Sequence, residues 1–154
     1  MKHETTVITG SETPADSTSP YAALVAFYLA FNNRNLELMI KNWANSEEAS
    51  MSNPLGGVKR GWQEIESVYN KIFNGAAKVF VEYYDYTIHQ IGDMFCAVGR
   101  ERGHFILGDN RIELAIRTTR IYRRNGNRWQ QIHHHGSIDN PELLSQYQLA
   151  VSKK

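Results

Sequence analysis

Two hydrophobic periods divide this chain near Lys78. Before it, apolar residues recur at three- and four-residue spacing, the repeat of one helix face. Leu24, Phe27, Tyr28 and Phe31 form one such set, preceded by Ser19 and Pro20 as cap and first-turn residue. Leu36, Met39, Ile40 and Trp43 form a second, and Trp62, Ile65, Tyr69, Ile72 and Phe73 a third, stopped at Asn74-Gly75. The spacing predicts helices near 20–32, 35–44 and 61–74. A short strand near Ala49 to Ser52 leads into the turn Asn53-Pro54-Leu55-Gly56-Gly57.

After Lys78 the period falls to two. Val79 to Ile91, Phe95 to Leu107, Arg111 to Arg123 and Arg128 to Gly136 read as strands, with turns at Gly92-Asp93, Gly108-Asp109-Asn110 and Asn125-Gly126. Asn140, Pro141 and Glu142 open a short terminal helix whose Leu143, Leu144 and Tyr147 dock on the body. Helices followed by an antiparallel meander define an α+β domain. Residues 1–18, rich in Ser and Thr, are expected to form a flexible tail, leaving a single domain over 19–150. No internal repeat is present.

Within the third long strand, Ile112, Leu114, Ile116, Thr118 and Arg120 share one face that is apolar at one end and polar at the other. Cys96 and Val98 followed by Arg100 and Arg102 show the same shift on the second. That gradient points to a concave sheet with a core at one end and a pocket at the other. On the last strand, alternation places Ile132 with His134, facing the pocket, and His133 with His135 on the opposite face. His133 and His135 point the same way, as two ligands of one metal would, but no third ligand stands at a recognisable spacing. No metal and no cofactor are expected.

A net charge of +1 argues against a nucleic-acid partner that relies on phosphate neutralisation. The single cysteine, Cys96, has no intrachain partner and reads as a core residue. No apolar run approaches the roughly 20 residues of a membrane helix, so a cytoplasmic protein without a membrane partner is expected. Large side chains at Tyr83, Tyr84, Tyr86, Phe95 and Phe105 exceed what one concave face hides, which predicts a homodimer or higher homo-oligomer formed through the outer sheet face.

The segments Thr119-Arg120-Ile121-Tyr122-Arg123-Arg124-Asn125-Gly126 and Trp129-Gln130-Gln131-Ile132-His133-His134-His135-Gly136-Ser137, with Ile91-Gly92-Asp93, Cys96-Ala97 and Arg100 before them, resemble the association domain of calcium/calmodulin-dependent protein kinase II. Together with the element order, they resemble the wider nuclear-transport-factor-2-like superfamily, which includes SnoaL-like proteins and ketosteroid isomerases. The resemblance covers roughly Tyr21 to Ser137 and implies a cystatin-like, cone-shaped barrel in which three helices pack on a curved antiparallel sheet.

Ketosteroid isomerase chemistry needs a carboxylate base and an oxyanion hole of a tyrosine and a protonated aspartic acid. Tyr28 falls at the family's tyrosine position, but the two acid positions carry Asn53 and Thr118, neither of which fills an acid's role. The association-domain resemblance implies arginines that bind small carboxylates: Arg100 and Arg120 match two of them, while Gly136 stands at the third. The resulting expectation is a ligand-binding or assembly module. Arg100, Arg120 and His134 converge on a small, anionic ligand against the aromatic wall of Trp62 and Tyr69, near Asn53 and Thr118. Internal pairing of the arginines with Glu64, Glu82 or Glu113 is the alternative reading. A small-molecule isomerase, cyclase or hydrolase using His134 or Tyr28 in the same pocket is the alternative function.

Overall fold

The computed structural model describes His3, Glu4 and residues 6–152. The elements run β1 (His3–Glu4), α1 (Pro20–Asn32), α2 (Leu36–Asn42), β2 (Ser50–Ser52), β3 (Val58–Arg60), α3 (Trp62–Asn74), β4 (Lys78–Ile91), β5 (Met94–Leu107), β6 (Asn110–Asn125), β7 (Arg128–Ser137) and α4 (Pro141–Ser152). The change of period at Lys78 is therefore a real change of structure, from helices to a mixed α+β domain with a meander.

Local chemistry sets the helix ends. The Ser19 hydroxyl accepts from Ala22 N at 3.1 Å with Pro20 in the first turn, and Asn35 Oδ1 accepts from Leu38 N at 3.0 Å to start α2. Gly92 and Gly126 take the hairpin positions with φ of 57° and 66°, where a β-carbon would be strained.

Among the described residues the sheet has seven strands in the order β1-β4-β5-β6-β7-β2-β3, curved but not closed into a barrel. Its pairs are antiparallel except β2 with β7, which run parallel, with Met51 opposite His134. Two bulges reset the alternation. In β4 the register shifts between Tyr84 and Thr87, with Asp85 in the left-handed region at φ 51°. Tyr83 and Tyr86, three residues apart, thereby both face inward and stack at 5.1 Å. Gly99 on β5 makes the room, since a β-carbon there would meet Tyr86 Cβ at 2.5 Å. In β7 the shift falls at Ile132, so the buried residues are Trp129, Gln131, His134 and Gly136, and Ile132 does not share the alternation of His134.

The core lies between the inner sheet face and the helices, with Leu24, Phe27, Tyr28, Met39, Trp43, Ile65 and Tyr69 packed on Tyr83, Phe95, Leu114 and Tyr122. This corrects the premise of the self-association argument: Tyr83, Tyr86, Phe95 and Phe105 are all buried inside. Cys96, expected in the core, is half-buried on the outer face.

Residues 6–18, expected as a flexible tail, pack on the body. Ile8 is fully buried and pairs with Tyr83 through two main-chain hydrogen bonds of 2.9 and 2.8 Å. Asn32 Nδ2 donates to the carbonyls of Thr9 and Val81, both at 2.8 Å, tying this strap to α1 and β4. At the other end α4 rests on the sheet through Tyr147, edge-on to Phe105 at 5.5 Å, and through the buried Ala150. No helix among the described residues is long and apolar enough to cross a membrane.

Candidate functional site

The inner face of β6 carries Arg120 into the core at 2% exposure. Such a charge is tolerated only with partners, and Arg120 has four. Nη2 donates to Glu101 Oε2 at 2.9 Å, Nη1 to Gln131 Oε1 at 2.9 Å and Nε to the Tyr28 hydroxyl at 3.3 Å. The guanidinium carbon also lies 3.5 Å from the centroid of the Phe27 ring. Tyr28 in turn donates to the same Glu101 oxygen at 2.6 Å. Burial lowers the Arg120 pKa, but Tyr28 and Glu101 outweigh it and the net shift is upward.

A polar chain continues from this cluster. Gln131 Nε2 donates to Asn42 Oδ1 at 3.2 Å, the Tyr122 hydroxyl donates to the same atom at 2.8 Å, and Asn42 Nδ2 donates to the Ala23 carbonyl at 3.0 Å. Sheet, α2 and α1 are thus joined through one buried network.

Three buried side-chain atoms among the described residues have no hydrogen-bond partner: Trp43 Nε1, Thr118 Oγ1 and His134 Nδ1. His134 is the cross-strand neighbour of Arg120. Thr118 precedes Arg120 by two residues on the same buried face. The Trp43 indole approaches the Tyr69 hydroxyl, whose pKa is pushed up to about 12 by burial and is moderated by the nearby Arg120 charge. Burial, reinforced by the Arg120 charge, holds His134 well below the ordinary histidine range, so it is neutral at neutral pH. Buried tyrosines surround the cluster, and burial likewise raises Tyr28, Tyr83 and Tyr122.

Of the residues expected to form the site, Arg120, His134, Thr118, Tyr28 and Tyr69 come together. Arg100 does not. It lies on the outer face opposite Arg117, 55% exposed, with Nε 3.0 Å from Asp85 Oδ2. Phe95, Ala97 and Glu101 mark the inner face of β5, while Cys96, Val98, Arg100 and Arg102 mark the outer one. Asn53 is also absent from the site, since its Oδ1 accepts from Leu55 N at 2.9 Å within its own turn. Trp62 packs beside Trp43 at 6.3 Å, but its indole donates to Glu66 at 2.8 Å. The anion-binding pair expected from Arg100 and Arg120 is thereby reduced to Arg120 alone, and that residue is already paired.

The acid that pairs it is Glu101, not Glu64, Glu82 or Glu113. Those three bond Arg60 N, Arg102 and Arg111 respectively. The apolar residues Cys96 and Val98 hide Glu101 from a reading by alternation, because they give the outer face the look of the inner one. Phe95 and Ala97, at its own parity, were the available signal.

On the outer face a groove of about 560 Å³ is lined by Thr87, Val98, Arg100, Arg117, Thr119 and His135. His133 Nδ1 lies 2.7 Å from Ser50 Oγ, and its ring is 6.3 Å from that of His135. No group of three metal-ligating side chains occurs among the described residues.

Solved structures share this arrangement of helices and sheet. One is a putative calcium/calmodulin-dependent protein kinase type II association domain from Thiobacillus denitrificans, 26% identical, with a TM-score of 0.69 over 79% of this chain and 96% of that one. A putative dehydratase of the NTF2-like family from Streptomyces avermitilis is 21% identical, with a TM-score of 0.67 over 76% of this chain and 91% of the other. The hub domain of the kinase from S. rosetta, 12% identical, gives a TM-score of 0.67 over 82% and 98%. No curated protein sequence matches significantly. The fold is NTF2-like, and because residues 21–141 match the SnoaL-like domain, the chain belongs to the SnoaL-like family.

Proposed function

We propose that this protein is a small-molecule-binding module of the SnoaL-like type, with its ligand held against the buried Glu101–Arg120–Tyr28 cluster. The observation that carries this reading is the concentration of unpartnered buried polar atoms, Thr118 Oγ1, His134 Nδ1 and Trp43 Nε1, around one ion pair. Buried polar groups elsewhere in a native core are nearly all satisfied, so a group of such atoms marks a place where a bound molecule completes the bonding. Native mass spectrometry of the gently purified protein tests it. The expected result is a small co-purifying species that His134→Ala and Thr118→Val release. A ligand-free spectrum, with no thermal stabilisation by any member of a small-molecule panel, contradicts the reading.

A second reading, a small-molecule isomerase, cyclase or hydrolase in the same interior, draws on His134, a neutral imidazole with a free Nδ1 beside a tyrosine–carboxylate pair. Turnover of a substrate that disappears in His134→Ala while binding persists would favour it.

Self-association through the outer sheet face belongs to the same proposal, as do the cytoplasmic setting and a single domain that takes in Ile8 ahead of 19–150. Its support is the exposure there of Met94 and Val98 beside paired charges, and the hub and association domains among the structural relatives. A species of at least dimer mass is expected in sedimentation at micromolar concentration, and Val98→Glu should dissociate it. A monomer alone would defeat the idea.

A further inference from the structure

The charges of the interior cluster cancel. Arg120 and Glu101 are 2.9 Å apart, with side chains only 2% and 7% exposed. The other titratable groups facing them from the helices and the sheet are Tyr28, Tyr69, Tyr83, Tyr122, Tyr147 and His134, and each is held in its neutral form. An anion entering this space must leave water without gaining a free cation, because both ends of the guanidinium are occupied by Glu101 and Gln131. A neutral polar molecule meets no such barrier. The unpartnered atoms also specify its chemistry: an indole N–H only donates, a threonine hydroxyl donates and accepts, and a neutral imidazole nitrogen does one or the other according to tautomer.

Resting on the reading of the interior as a ligand site, we propose that the ligand is a small uncharged molecule with a carbonyl or hydroxyl acceptor for Trp43 Nε1, and that Glu101 is the residue that excludes carboxylates. Glu101 is thus a specificity-determining group. It converts an arginine that would attract anions into half of a neutral pair.

Acetamide and acetate test this directly, since they share a shape and differ in charge. Each is titrated, at matched ionic strength, into the 15N-labelled protein and into Glu101→Gln, which keeps an acceptor oxygen for Tyr28 and Arg120 while removing the charge. The Trp43 indole N–H resonance, identified by its loss in Trp43→Phe, is the readout. Acetamide is expected to shift it in the wild type while acetate does not. In Glu101→Gln acetate should bind at least about tenfold more tightly than in the wild type, because the guanidinium charge is then no longer cancelled inside the cluster. Equal responses to both probes in the wild type would overturn the ligand class while leaving the interior site standing. No gain of acetate binding in a folded Glu101→Gln protein would overturn the role of Glu101. If neither probe moves the indole in either protein, the interior site itself fails, and this proposal with it. Should Glu101→Gln not fold, Glu101→Asn is titrated in its place, and no gain of acetate binding there overturns the role of Glu101.

Discussion

Arg120 and Glu101 form a 2.9 Å ion pair within the core of the domain, four residues out of register along neighbouring strands. Long-side-chain reach, not direct cross-strand opposition, makes the pair. Removing one partner strands the other in a medium that cannot solvate it. Arg120→Met should therefore cost about 3–5 kcal/mol of stability in denaturant unfolding, and adding Glu101→Leu should recover most of the loss. A single variant as stable as the wild type would show that Glu101 reaches water.

The neutral state of His134 gives stability a definite pH dependence. The unfolded histidine titrates near 6.5, whereas burial and the Arg120 charge depress it in the fold. The unfolded chain therefore binds the proton more readily. The stabilisation is full above pH 6.5 and is lost as pH falls from there towards the depressed value, at up to about 1.4 kcal/mol per pH unit. His133, shifted in the same direction by partial burial and by His135, adds to the slope. His134→Gln should flatten the curve between pH 6.5 and 5, as read by urea midpoints.

Arg100 behaves differently because it pairs with Asp85 at the surface, where both are substantially solvated. Arg100→Ala should change stability by less than about 1 kcal/mol and leave acetamide binding at the interior site untouched. A loss of interior binding would place Arg100 in that site after all.

The strap formed by residues 6–18 contributes to the core through Ile8. Truncating that fully buried side chain to alanine should cost about 2–5 kcal/mol. Gly10→Ala should destabilise the strap by another route, since its φ is +100° and a β-carbon there would collide with the Leu29 main chain. Free exchange of the Ile8 amide, as in a mobile tail, would contradict both expectations.

The elements that the sequence made legible are those with a sustained period. The three N-terminal helices fall within a few residues of their expected bounds, as do the four long strands. β3 and the buried strap escape such a reading, because Val58 stands alone among polar neighbours and the two-residue run Val7-Ile8 is too short to carry a period. The parallel pairing of β2 with β7 joins Met51 to His134 across a long stretch of chain, and no local pattern encodes it. Arg120, Thr118 and His134 lie on the buried face that alternation gives them, while the apolar neighbours Cys96 and Val98 point a reading of Arg100 to the wrong face. Ile132 shows the other limit: strict alternation assigns a face to every residue, and one bulge cancels that assignment.

The polar chain through the core has a consequence for α1. Its buried residues, Ala22, Leu24, Val25, Phe27, Tyr28 and Ala30, surround most of its circumference, so oil-like contact alone would be nearly indifferent to rotation about the helix axis. Hydrogen bonds are directional, and α1 is held by them at three heights: the Ala23 carbonyl to Asn42, the Tyr28 hydroxyl to Glu101, and Asn32 to Val81. Like the teeth of a key, these three points admit one angular setting. That setting turns Tyr28 toward the ion pair and fixes the orientation of the candidate site.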